Sequence, residues 1–329
     1  MKKYIAVLSL IFSITFIGSQ TIFADEAEEE KSPFSLFLQT EAAYYPETKR
    51  VTGGDHFAPL TGFYSGVEAR TTLGANYKID TPLGENWLVS GANVVLGGGL
   101  ELTPVSLRPL VSVGFTPVPF LVFEAGASVG WGWNLGPFEG ICAFNKETGK
   151  YEKLSTFAHP YYDVWGSVTF QFDTGALIPG DWTHVVILAS YTTTYSGIAG
   201  LDQDTIFEWQ CGKNKARGLQ YVVQGVLGYQ MPLPLSLTGV MFGATGYYDG
   251  KAYGEFDANY DGSFAKISIS PFLQFKFGDK DDLYCLFDFA SRRSFNAEFE
   301  ELEEALYLKK TGREWFFNRI AFSWTHKFM

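Results

Sequence analysis

The C-terminal segment REWFFNRIAFSWTHKFM, residues 313–329, alternates between two kinds of side chain. The apolar residues share one parity: Phe316, Ile320, Phe322, Trp324 and Phe328. The polar residues share the other parity: Arg319, Ser323, Thr325 and Lys327. Because successive residues of a β-strand point to opposite faces, this pattern predicts a strand with one apolar face and one hydrated face.

The same period of two recurs through the rest of the chain and predicts about twelve strands, an even number. In the segment 61–79, for example, Val67 and Leu73 oppose Glu68 and Arg70. We place the strands at approximately 34–45, 61–79, 87–102, 106–116, 120–133, 159–173, 182–195, 219–231, 235–248, 263–277, 282–293 and 314–328. Strands of this length, each with two different faces, are typical of a barrel that crosses a membrane.

The connections between these strands alternate in length. The short ones lie at 80–85, 117–119, 174–181, 232–234 and 278–281. The long ones lie at 46–60, 134–158, 196–218, 249–262 and 294–313, with one short exception around Thr103 and Pro104. Short turns on one rim, long loops on the other and an even strand count predict an all-β, antiparallel up-and-down transmembrane barrel. The segment 297–310 is expected to add a helical turn or two inside the last loop.

Two other folds share part of this pattern. A water-soluble sandwich or lipocalin-like barrel also alternates, but it does not require such long strands or Tyr and Trp gathered near strand ends. The uncharged segment 219–248 is long enough for a membrane helix, but Pro232 and Pro234 interrupt it and its glutamines follow strand parity. Two prolines fit the barrel badly, because Pro109 and Pro271 fall in the middle of predicted strands and indicate a bulge or a local error of register.

The N-terminus divides into two short segments before the barrel. Lys2 and Lys3 precede an apolar run, and Ala24 offers a small residue before Asp25, so residues 1–24 are predicted to be a secretory signal peptide. A retained anchor is the alternative, but the run is short for a spanning helix. Residues 25–33 then form a short acidic tail, expected in the periplasm, and 34–329 form the barrel.

Charge and cysteine content exclude several classes of protein. The net charge is -11 and no basic stripe is visible, so nucleic acid is not an expected partner. With three cysteines, a disulfide scaffold is excluded. Cys142 and Cys211 fall in polar, turn-rich stretches and form a disulfide candidate in an oxidising compartment, whereas Cys285 lies in an apolar run. Three free thiols are the alternative.

The end of the chain resembles the C-terminal strand signal of bacterial outer-membrane barrel proteins, through Phe322, Trp324 and Phe328. In that class the signal usually finishes in an aromatic residue, whereas Met329 follows the last aromatic here. The resemblance implies contact with outer-membrane lipids and with the barrel-assembly machinery, periplasmic termini and extracellular long loops. The high Gly and aromatic content is similar to that of porin-like barrels of spirochaete-like bacteria, without pointing to a named family.

Side chains on the hydrated parity are the candidates for lining a pore. These are Glu68, Arg70, Glu101, Arg108, Glu124, Asp163, Trp165, Lys266, Lys276, Asp288, Arg292 and Arg319. Neither sign of charge dominates among them, which argues against strong anion selectivity. We therefore expect a channel for passive or weakly selective diffusion of small solutes. The alternatives are a structural barrel whose lumen is closed by ion pairs, and a surface interaction protein or adhesin that acts through loops 134–158 and 196–218.

Enzymatic chemistry has little support in the sequence. Four histidines are present: His56, His159, His184 and His326. None belongs to a Ser-His grouping at the rim where barrel hydrolases place their active sites. CxxC, HExxH, phosphate-loop and dinucleotide motifs are also missing, so we expect no catalytic residues, no cofactor and no metal site.

Overall fold

The computed structural model describes residues 32–328. The predicted signal peptide 1–24, the acidic tail up to Lys31, and Met329 lie outside the described residues. No helix within 32–328 is long and apolar enough to cross a membrane.

Twelve antiparallel strands close into a barrel, as the sequence predicts. They are β1 (Phe34–Thr48), β2 (Leu60–Asp80), β3 (Asn93–Thr103), β4 (Ser106–Val118), β5 (Leu121–Gly132), β6 (Tyr161–Asp173), β7 (Val185–Ile198), β8 (Gly218–Gln230), β9 (Leu235–Tyr247), β10 (Lys266–Phe277), β11 (Asp281–Phe295) and β12 (Lys310–Lys327). Each strand pairs with its neighbours in sequence, and β12 pairs with β1 from Phe37 opposite Lys327 to Tyr44 opposite Ile320. This last pairing leaves the barrel without an open edge.

One strand begins later than predicted. β3 starts at Asn93, not near 87, because residues 86–92 form a turn. The Asn86 carboxamide accepts the backbone N–H of Leu88 at 3.0 Å, and the Asn86 carbonyl accepts the N–H groups of Val89 and Ser90 at 2.9 and 2.8 Å. An Asn side chain that bonds its own backbone two residues on favours a turn over an extended strand.

The outer wall of the barrel is apolar. Large side chains point away from the lumen and are exposed around the whole circumference, among them Leu73, Leu100, Val113, Phe123, Val168, Ile187, Val223, Leu227, Phe242, Ile269, Phe289 and Phe322. A water-soluble protein rarely exposes so continuous an apolar belt, whereas hydrocarbon requires one. The predicted division between a lipid face and a hydrated face is therefore present in the fold.

The long loops carry secondary structure of their own. Short strands lie at His56–Phe57, Asn134–Leu135, Phe138–Glu139, Ile141–Asn145, Lys150–Lys153, Phe207–Trp209 and Gly212–Lys215. Four of these (Lys150–Lys153, Ile141–Asn145, Phe207–Trp209 and Gly212–Lys215) form a separate antiparallel sheet in that order. Short helices lie at Gly250–Phe256, Asp257–Tyr260 and Glu304–Tyr307 in the loops, and at Thr174–Ala176 in a turn between strands. The helix at Glu304–Tyr307 falls inside the segment predicted to hold a helical turn.

Two hydrophobic clusters hold these loops together. One contains Phe144, Ile206, Ala216, Tyr253, Phe256, Tyr260, Phe295, Ala305 and Leu306. The other contains Ile141, Tyr161, Ile198, Phe207 and Trp209. Because side chains from four loops meet in the first cluster, the loops pack over one mouth of the barrel instead of projecting separately.

A β-bulge interrupts β12. Asp288 of β11 lies opposite Arg319, but the next residue, Phe289, lies opposite Phe317, so Asn318 is an extra residue on β12. Asn318 and Arg319 are consecutive, and both are buried. A bulge of this kind shifts the alternation of every residue beyond it by one position.

The bulge corrects the sequence-based assignment of Phe316. This residue does not share the lipid face with Phe322, because its ring lies 4.2 Å from the guanidinium carbon of Arg292, a residue that lines the interior. Phe317 is the residue that packs against the outward Phe289, with ring centroids 5.0 Å apart.

Candidate functional site

The barrel encloses a cavity of about 830 Å³. Near the short turns it is lined by Asp173 and Lys276, and at the opposite end it reaches Arg50 and Ala305 in the folded loops. The cavity therefore runs along most of the barrel axis and ends beneath the loops. Its walls are the inward-facing residues of the strands, many of them Ser, Thr, Gln and Gly.

The structure places the predicted lumen residues in two groups. Those that line the cavity are Arg108, Glu124, Asp163, Trp165, Lys266, Lys276 and Arg292. Those that lie in ion-pair networks of the inner wall are Glu68, Arg70, Glu101, Asp288 and Arg319. Tyr64, which shares the parity of Glu68 and Arg70, is instead 52% exposed, and it lies near the register shift between Tyr45 and Glu47 in the pairing of β1 with β2.

The first network joins β1, β2, β3, β4 and β6. Glu101 accepts from Arg108 at 2.7 Å and lies 3.6 Å from Arg70, which also pairs with Glu41. Arg108 reaches on to Asp163 at 3.1 Å. Glu101 and Asp163 are buried. Each charge contacts an opposite one, with three carboxylates sharing two guanidiniums, so the network braces the wall.

The second network crosses the closure of the barrel. Arg319 on β12 lies 3.7 Å from Asp288 on β11 and 3.6 Å from Glu68 on β2. The Tyr45 hydroxyl donates to Glu68 at 2.5 Å, and the Asn318 carboxamide donates to Asp288 at 2.6 Å. Residues from β1, β2, β11 and β12 therefore converge on one guanidinium.

A third group ties the first long loop to the barrel. Glu314 on β12 pairs with Arg292 on β11, accepts the backbone N–H of Val51 at 2.7 Å and lies 3.0 Å from His56 Nε2. The loop residue His56 is thereby held against the wall.

Several cations around the cavity have no such partner. Within residues 32–328, Arg50, Lys215 and Lys266 take part in no ion pair. Lys266 lies within electrostatic range of Arg293, Lys215 and Arg50, all of the same sign. Burial, followed by the nearby Arg108, lowers the pKa of Lys215 to about 8. Burial, followed by the nearby Arg292, lowers the pKa of Arg50 to about 9.

The carboxylates that line the cavity do not offset these cations. Asp163 is paired with Arg108, and Asp173 lies 2.8 Å from His184 Nδ1. Glu124 is the one cavity-lining carboxylate of the described chain that has no cationic partner. The part of the cavity near Arg50, Lys215 and Lys266, here called the cation cluster, therefore carries an excess of positive charge.

Sequence reasoning missed the loop members of this site. Parity identifies the inward face of a strand, but Arg50 and Lys215 lie in loops, where no periodicity shows which way a side chain points. Trp209 and Gln210 were missed for the same reason: Trp209 stacks on Tyr161 with ring centroids 4.6 Å apart, and Gln210 donates to Glu101 at 2.9 Å. The available signal was the presence of charged and aromatic residues inside long loops. That signal does not show which way a loop side chain points.

The histidines form no catalytic grouping. His56, His184 and His326 each contact a different carboxylate, and His159 contacts the Ala199 carbonyl at 3.0 Å. Among residues 32–328, no histidine is hydrogen-bonded to a serine hydroxyl. All three cysteines are free thiols in this structure, and Cys142 is buried.

A closed, even-stranded antiparallel barrel with an apolar exterior and a polar interior defines a transmembrane β-barrel of the porin-like, outer-membrane type. No family model matches the chain, and no curated protein matches its sequence.

Solved structures of a porin, an outer membrane channel and an autotransporter β domain are similar to this chain in fold. The KdgM porin has 9% identity and a TM-score of 0.37, with 90% of this chain and 99% of the porin covered. The outer membrane channel DcaP of Acinetobacter baumannii has 12% identity and a TM-score of 0.36, with coverages of 90% and 96%. The β domain of the Bordetella autotransporter BrkA has 10% identity and a TM-score of 0.45, with coverages of 90% and 99%.

Proposed function

We propose that this protein is an outer-membrane channel for the diffusion of small solutes, with a weak preference for anions. The observation that carries the proposal is the cation cluster, where Lys215, Lys266 and Arg50 face a polar cavity of about 830 Å³ without carboxylate partners. Charged rings in a narrow pore raise the local concentration of counter-ions and so favour permeation by the opposite charge. The preference differs from the balanced interior expected from strand residues, because two of the three cations come from loops.

Aromatic side chains narrow the passage. Trp165, Tyr247 and Phe272 line the cavity together with the cation cluster, and their bulk favours small solutes. The aromatic faces offer stacking surfaces beside the positive charges. Small carboxylates and phosphorylated or acidic sugars combine these two properties, so they form the first set of solutes to test.

Planar-bilayer recording of the refolded mature chain tests the proposal. We expect discrete conductance steps. In a KCl gradient, the reversal potential should shift from zero toward the equilibrium potential of chloride. The double variant Lys215→Gln with Lys266→Gln should move the reversal potential toward zero and lower the chloride preference about two- to fivefold. Lys251→Gln is the matched control, because Lys251 is exposed in a loop and should leave selectivity unchanged.

A cation preference in the unaltered protein would contradict the proposed selectivity, and silence in the bilayer from a folded barrel would contradict the channel itself. The second outcome favours a structural barrel with a closed lumen, for which the two hydrophobic clusters over one mouth are the specific support. Truncating Trp209 in the second cluster separates the two functions, because conductance should rise only if the barrel conducts.

We also propose that the short turns and the termini face the periplasm and that the long loops face the outside, as in the outer-membrane class. Membrane-impermeant maleimide applied to whole cells tests this orientation. Lys251→Cys, in a long loop, should be labelled, whereas Lys280→Cys, in a short turn, should be labelled after lysis alone. The reverse pattern would overturn the orientation. The buried thiol of Cys142 supplies an internal unlabelled control.

A further inference from the structure

Three side chains of the loop sheet converge at a point away from the cation cluster. They are Glu139, Cys142 and Glu208, and their carboxylate and thiol atoms all lie within 4.8 Å of one another. Cys142 lies directly opposite Glu208 in the antiparallel pairing of Ile141–Asn145 with Phe207–Trp209. Cys142 Sγ lies 3.5 Å from Glu139 Oε2. Residues directly opposite in such a pair have neighbouring Cβ atoms, so the backbone itself sets the meeting of Cys142 with Glu208.

A second, independent observation is the state of the Glu208 carboxylate. Glu208 is 2% exposed, and its Oε2 atom is buried without a hydrogen-bond partner. A buried polar atom without a hydrogen-bond partner is destabilising, and more so when it belongs to a charged group. The neighbouring lysines are directed elsewhere, since Lys213 pairs with Glu303 at 2.9 Å and Lys153 approaches Glu139 at 3.8 Å. Neither of these lysines forms an ion pair with Glu208.

We propose that Glu139, Cys142 and Glu208 form a binding site for a divalent transition-metal ion, with Zn²⁺ as the best fit. A thiolate beside two carboxylates matches a borderline-soft ion, whereas Ca²⁺ and Mg²⁺ prefer oxygen ligands alone. Ligands bonded to one Zn²⁺ at about 2.0–2.3 Å lie roughly 3–4 Å apart, so small side-chain rotations suffice to close the site. Three protein ligands leave a fourth position for water or another ligand.

Binding of the ion requires the deprotonated form of Cys142 and of both carboxylates. Any proton on a ligand atom is released when the ion binds, so affinity should rise with pH.

The ion would cross-link two separate loops. Glu139 and Cys142 belong to the connection between β5 and β6, and Glu208 belongs to the connection between β7 and β8. The sequence gives no spacing motif for such a site, because its ligands lie 66 residues apart, from 142 to 208. This site is distinct from the cation cluster, and its existence does not depend on conduction through the barrel.

Cobalt(II) titration of the refolded full-length mature protein tests the proposal, because a thiolate–Co²⁺ bond produces a charge-transfer absorption in the near ultraviolet. We expect one Co²⁺ per chain, competed by Zn²⁺ and not by Ca²⁺, with affinity that increases from pH 6 to pH 8. Cys142→Ser should abolish the absorption, and Glu208→Gln should weaken binding about tenfold or more.

The matched controls are Cys211→Ser and Cys285→Ser, which remove the other two thiols and should leave the absorption intact. Heat-modifiable migration on a gel shows for each variant that the barrel has formed. Loss of the absorption with Cys211→Ser, no absorption from the folded unaltered protein, or a Cys142–Cys211 disulfide in protein isolated from cells would each overturn the proposal.

Discussion

Arg319 on β12 lies directly opposite Asp288 on β11, with 3.7 Å between Nε and Oδ2. The bulge at Asn318 creates this relationship, because it turns two consecutive residues of β12 toward the interior. Glu68 and Tyr45 approach the same guanidinium from β2 and β1. The Arg319 guanidinium therefore contacts residues of three other strands at the place where β12 pairs with β1 and closes the barrel.

The first prediction concerns this cation. Arg319→Met leaves Asp288 and Glu68 without their shared partner, and removal of one member of a buried ion network costs about 3–5 kcal/mol. We expect the free energy of unfolding in urea, measured in lipid vesicles, to fall by about that amount. Lys78→Met is the control, because the Lys78–Asp80 pair is exposed and should contribute less than about 1 kcal/mol. Equal losses for the two variants would contradict the proposed bracing role.

The strand pattern was predictable because membrane and lumen impose opposite demands on alternate residues. All thirteen residues of β6, for example, keep a single alternation from Tyr161 to Asp173, with Asp163 and Thr169 inside and Val164 and Phe170 outside. The alternation pattern contains no local signal for a β-bulge, where one extra residue is inserted into a strand. For this reason Phe316 was assigned to the lipid face, although the bulge at Asn318 turns it inward.

The two mid-strand prolines show a different limit. We expected either a bulge or an error of register at Pro109 and at Pro271. Both expectations are wrong, because the strand register is the same on either side of each proline. On either side of Pro109 the register of β4 with β5 is the same, from Leu107 opposite Trp131 to Leu110 opposite Ser128. The missing N–H of a proline removes one hydrogen bond of the ladder, and the strong pairing beyond it holds the register in place.

The loops were the least predictable part, because their residues carry no period that relates sequence to direction. Their packing over one mouth leads to the second prediction. Trp209 is 1% exposed and stacks on Tyr161. Trp209→Ala removes this stack and should cost about 3–5 kcal/mol of loop stability.

If the second hydrophobic cluster narrows a conducting pore, single-channel conductance should rise in Trp209→Ala and excess current noise should increase. Phe157→Ala is the control, because Phe157 is 82% exposed in a neighbouring loop. Unchanged conductance in Trp209→Ala, with proteolysis showing that the loop has loosened, would contradict a role of this cluster in narrowing the passage.

The third prediction is a dependence of selectivity on pH. Because the pKa of Lys215 is lowered to about 8, this side chain is charged at pH 6 and loses its proton as the pH rises through that value. Anion preference should therefore decline between about pH 7 and pH 9, a range in which an ordinary lysine stays protonated. Reversal potentials measured across this range check the sign. Lys215→Gln should remove most of the change, and a preference that strengthens with pH would contradict the assignment.

The fourth prediction concerns assembly. Phe322 and Trp324 are 43% and 39% exposed on the outer wall, and Phe328 is 44% exposed beyond the end of β12. We propose that the assembly machinery recognises these three aromatic residues, although Met329 follows them. Phe328→Ala and Trp324→Ala should each lower the fraction of heat-modifiable barrel formed in cells, by about two- to tenfold, because each removes an aromatic residue of the proposed signal.

Spontaneous refolding into detergent separates recognition from stability, since it needs no assembly machinery. If the aromatic residues act as a signal, Phe328→Ala should refold in detergent nearly as well as the unaltered chain and still fail in cells. Trp324 also donates from Nε1 to Asp281 at 3.0 Å, so Trp324→Ala should show a small additional loss in detergent. Deletion of Met329 places an aromatic residue at the terminus and should preserve or improve assembly. Impaired assembly after that deletion would show that the final methionine is itself part of what is recognised.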